Sequence, residues 1–124
     1  MIAVRTFAGK GRGVIALRSF APGETIELAP VLVIPGEQAP RLARTVLAGH
    51  CFQWGPGAGD VALVLGVCQL CNHSYTPNAE YRHDYARQTM RFEALREIRA
   101  GDEITVNYNG DPADPSPMWF DVLP

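Results

Sequence analysis

The sequence predicts a single, mainly β domain. Glycine and proline, 12 and 10 of 124 residues, are spread along the whole length and punctuate many short elements. The apolar runs between them have the length and residue types of strands. Residues 36–49 are the best helix candidate, with Leu42, Val46 and Leu47 on one face and Gly49 able to close the C-terminus.

Taken in order, residues 3–7 read as a strand, Gly9-Lys10-Gly11-Arg12-Gly13 as a tight loop and residues 14–17 as a second strand. Ala21-Pro22-Gly23-Glu24 is a turn, with proline and glycine at the positions a turn favours. Residues 25–28 and 31–34 are two further strands separated at Pro30. A short strand at 51–54, a glycine-rich turn at 55–60 and a buried strand at 61–65 follow. Asn72-His73-Ser74-Tyr75-Thr76-Pro77-Asn78 reads as a loop, because these side chains bend the backbone or bond to it locally. Residues 79–85 and 88–95 form a hairpin, with Met90, Phe92 and Ala94 alternating against Arg91 and Glu93. Gly101-Asp102 turns into a last strand at 103–108, with Ile104 and Val106 on one face. The tail is rich in Pro and Asp yet ends Met118-Trp119-Phe120-Asp121-Val122-Leu123, an apolar cluster that must dock on something.

Composition bounds the function. At 124 residues the chain holds one core. With 47% hydrophobic and 19% charged residues it has the make-up of a soluble globular protein. A net charge of −2 gives no broad basic field for direct nucleic-acid binding. No apolar run is long enough to span a membrane, and no signal-peptide core follows Arg5 and Lys10. Three cysteines, Cys51, Cys68 and Cys71, do not make a disulfide framework, so a reducing, cytoplasmic setting is expected.

Individual motifs leave several chemistries open. Gly9-x-Gly11-x-Gly13 lacks dinucleotide or Walker spacing, but its backbone can approach a ligand closely. Cys68-x-x-Cys71 suggests a metal or redox pair, yet no second cysteine pair completes a zinc site. A cysteine with His73 could form a nucleophile–base pair, although no orienting third group is evident. Tyr108 ends a strand, either as an amphipathic strand end or as a phenol aimed into a pocket.

In order, Gly11-Arg12-Gly13-Val14, Asn72-His73-Ser74-Tyr75-Thr76-Pro77-Asn78 and Gly101-Asp102-Glu103-Ile104-Thr105-Val106-Asn107-Tyr108 resemble the SET domain, the β-rich fold of most protein lysine methyltransferases. Phe20-Ala21-Pro22-Gly23-Glu24-Thr25-Ile26 is similar to the second turn of that family. The resemblance covers nearly the whole chain. It implies short β-sheets with one or two short helices and a knot-like C-terminal threading. The SET core would occupy residues 1–110, and residues 111–124 would pack on the cofactor site. It implies S-adenosyl-L-methionine as cofactor, no metal, and a protein or peptide lysine as substrate, on a histone-like, DNA-associated or ribosomal protein. By position, Lys10, Gly11, Arg12 and Gly13 would lie along the methionine part of the cofactor, and Asn72 and His73 would hold the adenine and amino-acid parts. Tyr108 would be the catalytic residue where sulfonium and lysine nitrogen meet, and Tyr81 a second tyrosine of the lysine channel. Trp119 resembles the C-terminal aromatic that some members stack on adenine.

The chain departs from the family in three places. Gln69-Leu70-Cys71 stands where many members have Arg-Phe-Ile, and Asn107 stands where an acidic residue often precedes the last tyrosine. Tyr75 stands where many carry a zinc-binding cysteine, and no cysteine follows Cys71. The zinc-bound tail is thus missing as a unit, with the Trp119 segment in its place. The chain resembles the minimal SET proteins of bacteria and viruses, some of which form homodimers. The alternative reading is a weak or inactive SET fold serving as a protein-binding module.

Overall fold

The structure, a computed structural model, describes residues 1–56, 59–120 and 122. Among the described residues nine strands form two sheets. β1 (Ile2–Phe7), β2 (Gly11–Ala16), β9 (Glu103–Val106) and β6 (Asn72–His73) lie in the order β1-β2-β9-β6. β4 (Phe52–Gln53), β5 (Val61–Val64), β3 (Thr25–Ile34), β8 (Thr89–Ala94) and β7 (Ala79–Asp84) lie in the order β4-β5-β3-β8-β7. The last strand in sequence is therefore interior to the first sheet. It pairs antiparallel with β2 and parallel with β6. Asn78 fastens it from the side, donating to the Glu103 carbonyl at 2.8 Å and accepting from the Thr105 N–H at 2.9 Å.

The alternation read from the sequence sets the core. Met90, Phe92 and Ala94 are buried, as are Ile104 and Val106, and the two sheets share one cluster with Phe20 and Ile98. Each large apolar side chain buried in this way contributes about 1.5–3 kcal/mol. The hairpin of β7 and β8 has the expected register, with Tyr81 opposite Phe92.

Four expectations require correction. Residues 36–49 do not form an α-helix; a 3₁₀ helix spans Ala39–Arg44 and buries none of its residues. Val46, expected on a packed face, is 83% exposed. With no apolar face to bury, helical hydrogen bonding alone does not hold a segment of this length. Thr45 ends it with an extended backbone, its N–H and its hydroxyl both on the Leu42 carbonyl. The strands on either side of Pro30 are one strand: the Pro30 carbonyl accepts from Leu65, and Val31 donates to Gln88, so only the donor that proline lacks is lost. The loop at residues 9–13 is shorter than expected, since Gly11 to Gly13 already pair with β1. Asn72 and His73 are a two-residue parallel strand rather than loop, because β9 supplies the partner.

Candidate active site

Tyr108, just past the end of β9, is where two clefts meet. The smaller, of about 250 Å³, is lined by Gly9, Lys10, Asn72, His73, Phe120 and Val122 together with Tyr108. The larger, of about 630 Å³, has Phe52, Tyr81, His83, Tyr85, Gln69 and Trp119 in its walls, again with Tyr108.

Three bonds fix Tyr108. Its hydroxyl donates to the Cys71 carbonyl at 2.7 Å. Its backbone N–H donates to His73 Nδ1 at 3.0 Å, and its carbonyl accepts from the Tyr81 hydroxyl at 3.5 Å. Because the phenol proton is committed to Cys71, the lone pairs of Oη are left to face other groups. Burial, with the nearby Cys71 and Glu103, pushes the Tyr108 phenol up to about 12, and burial pushes Tyr81 up to about 12 as well. Both stay neutral at any physiological pH. The site can thus orient a nucleophile by hydrogen bonding without placing a phenolate beside it.

The smaller cleft draws on the turn between β1 and β2, on β6, on Tyr108 just past β9 and on the C-terminal segment. Gly11 has φ of +76°, a conformation that favours glycine. At Gly13 the need is space. A Cβ there would lie 2.6 Å from Asn72 Nδ2, 2.7 Å from Glu103 Oε2 and 2.9 Å from the Phe7 ring. Asn72 Nδ2 donates to Glu103 at 2.8 Å and to the Arg12 carbonyl at 3.2 Å. Glu103 also takes the Lys10 ammonium at 2.8 Å. Sequence reasoning missed this carboxylate, although it sits in the same strand as Tyr108's approach. Burial lowers the His73 pKa, and Nδ1 already accepts from Tyr108, so Nε2 carries the ring proton. That Nε2 is buried without a hydrogen-bond partner among the described residues.

The larger cleft is aromatic. Phe52 meets Tyr81 edge-on at 4.9 Å, and His83 stacks on Tyr85 at 5.3 Å. Its described lining contains no Asp, Glu, Lys or Arg. Gln69, a departure from the expected arginine, accepts from the Val64 N–H at 2.7 Å and donates to the His50 carbonyl, which ties the wall at residue 50 to β5.

Of the residues singled out from sequence, Lys10, Asn72, His73 and Tyr108 converge on the smaller cleft, with Gly13 and the Arg12 carbonyl directly behind Asn72. Tyr81 and Trp119 border the larger one. Phe120 and Val122, not singled out individually, close the smaller. The Cys68–x–x–Cys71 pair is buried, and its mutual hydrogen bond followed by burial pushes the Cys68 thiol up, which makes it a poor nucleophile. Asn107, 2% exposed, donates to the carbonyls of Asp114 at 2.8 Å and Pro112 at 3.3 Å. Its amide is structural to the C-terminal segment.

Residues 11–109 match the SET domain. The chain is 32% identical over 119 residues to the Schizosaccharomyces pombe histone-lysine N-methyltransferase specific for H3 lysine-37, covering 95% of this chain and 76% of that protein. Its fold superposes on the crystal structure of a candidate histone methyltransferase from Plasmodium falciparum with a TM-score of 0.71 and 30% identity, over 86% of this chain and 91% of the other. A Chaetomium thermophilum Polycomb Repressive Complex 2 structure shares the fold at a TM-score of 0.73 and 20% identity, over 87% of this chain and 15% of that one. The chain belongs to the SET domain family, a family of S-adenosylmethionine-dependent protein lysine methyltransferases.

Proposed function

We propose that this chain methylates a lysine of a histone-like protein, with the methyl donor in the smaller cleft and the lysine side chain in the larger. The observation that carries the reading is the position of Tyr108, which lines both clefts and so stands where donor and acceptor meet.

The residues of the smaller cleft suit S-adenosylmethionine. His73 Nε2, buried and without a partner among the described residues, offers a donor to it, and the space kept at Gly13 holds the Asn72 amide in place at the edge of the cleft. Lys10, paired with Glu103, puts a cation where the donor's carboxylate can lie. Bound there, the cofactor supplies an electrophilic methyl group on a sulfonium.

The protein's own part is alignment, desolvation and control of charge. A lysine ammonium has no lone pair, and its ordinary pKa is about 10.4. The aromatic walls of the larger cleft disfavour the charged form as the side chain enters, and the described lining holds no Lys or Arg to repel it. Tyr108 Oη, its proton held by Cys71, accepts from the amine N–H and points the nitrogen lone pair across the site. Tyr108 is not the base, because its phenol stays protonated to about pH 12. The amine proton leaves to water before transfer.

The test is to incubate the protein with S-adenosylmethionine and recombinant histone H3 and follow intact masses. Methyl gain on the histone is expected. No gain on histone H3 or on any member of a basic-protein panel overturns the reading. Lys10 is the chain's sole lysine, so self-methylation of a lysine is confined to one residue already paired with Glu103.

A further inference from the structure

Two neighbouring aromatic residues near the C-terminus face different clefts. Trp119 lies parallel to the Tyr108 ring, at 6.2 Å and 22°, and borders the larger cavity. It also covers Gly49, where a Cβ would come within 3.3 Å of the indole. Phe120 is turned 83° from Trp119. It meets His73 edge-on at 6.1 Å and borders the smaller cleft with Lys10 and Asn72. The Tyr108 ring thus stands between the domains of action of two consecutive side chains.

We infer that the two residues divide the bisubstrate site, Trp119 recognising the lysine and its peptide while Phe120 closes the methyl-donor cleft. This rests on the proposed placement of donor and lysine. It also reverses what the family resemblance alone implies for Trp119. The indole face offers the lysine methylene chain an apolar wall, which suits the acceptor side. Phe120 offers an apolar edge beside the one buried ring donor of the cleft, His73 Nε2.

The division is held by hydrogen bonds to the C-terminal segment. The Tyr75 hydroxyl and Asn109 Nδ2 both donate to the Ser116 carbonyl, at 2.9 and 3.0 Å, and Asn107 Nδ2 holds the Asp114 carbonyl at 2.8 Å. These bonds fix the strap just ahead of Trp119. Tyr75 is thus the far end of a hydrogen-bond latch on the segment that carries Trp119.

The test uses the full chain as wild type, Trp119→Ala, Trp119→Phe and Phe120→Ala. Calorimetry with S-adenosylhomocysteine reads the donor side, and KM for recombinant histone H3 reads the acceptor side. Trp119→Ala should raise KM by about tenfold or more with the S-adenosylhomocysteine Kd within about twofold, and Phe120→Ala should do the reverse. Trp119→Phe should restore much of the lost KM. The two side chains are 69% and 40% exposed, so truncation hollows no core, and equal melting temperatures check this. If Trp119→Ala weakens S-adenosylhomocysteine as much as Phe120→Ala does, the division is wrong while the methyltransferase reading stands. If the wild type neither binds S-adenosylhomocysteine nor methylates the histone, that reading fails and the division with it.

Discussion

The Tyr108 hydroxyl and the Cys71 carbonyl, 37 positions apart, are joined by a 2.7 Å hydrogen bond. The bond settles which way the phenol points and leaves its lone pairs for an incoming amine. Cys71 is followed directly by Asn72 and His73, so the same few residues aim the tyrosine and form the donor cleft.

Tyr108→Phe removes that hydroxyl while keeping the ring between the clefts. Turnover should fall by about 10²–10³, as for loss of one preorganised polar group at a reacting centre. S-adenosylhomocysteine affinity by calorimetry should stay near the wild-type value. Unchanged turnover would take Tyr108 out of the chemistry.

Gly13→Ala puts a methyl group into the space shared by Asn72, Glu103 and Phe7. Overpacking of this kind costs about 1–3 kcal/mol. Because Asn72 lines the donor cleft, cofactor affinity should drop along with the melting temperature. A variant that melts lower yet binds S-adenosylhomocysteine normally would show that Asn72 does not reach the ligand.

His73 should give the protein an acid limb. Its folded pKa is lowered from 6.5 by burial, so the unfolded chain binds the proton more readily than the folded one. The stability it contributes is fully present above pH 6.5 and is lost as pH falls through the lowered native value. Protonation at Nδ1 also removes the acceptor of the Tyr108 N–H. Melting temperatures measured on both sides of that window should fall on the acid side, and His73→Gln should flatten that part of the curve.

Asn107→Asp would restore the acidic residue often seen before the last tyrosine, yet here it should be harmful. A carboxylate cannot donate to Asp114 and Pro112, and it would face their carbonyl oxygens. Loss of buried hydrogen bonds of this sort costs about 1–3 kcal/mol, more with charge. Chemical denaturation should report the loss, and limited proteolysis should cut first after residue 109. An equally stable aspartate variant would mean that the strap is held by Tyr75 and Asn109 alone.

The sequence by itself determined the parts that repeat locally or carry a motif. Alternation at Met90, Phe92 and Ala94 specified the hairpin and its buried face, because side chains in a strand alternate whatever surrounds them. The ordered motifs around Gly13, Asn72 and Tyr108 named the family and gathered most of one cleft. What only the tertiary structure decided were relationships between residues far apart in the chain. Asn72 and His73 are too short a run to declare a strand, and become one only because β9 arrives beside them. The apolar spacing of residues 36–49 carries no information about whether a face exists to bury it, and none does. Asn107 reads as a missing acid until the carbonyls it donates to are in view. Trp119 and Phe120 are neighbours in sequence, but the sides of Tyr108 on which their rings fall depend on a strap fastened by Tyr75, Asn107 and Asn109. Those bonds act through space, and no local pattern in the chain encodes them.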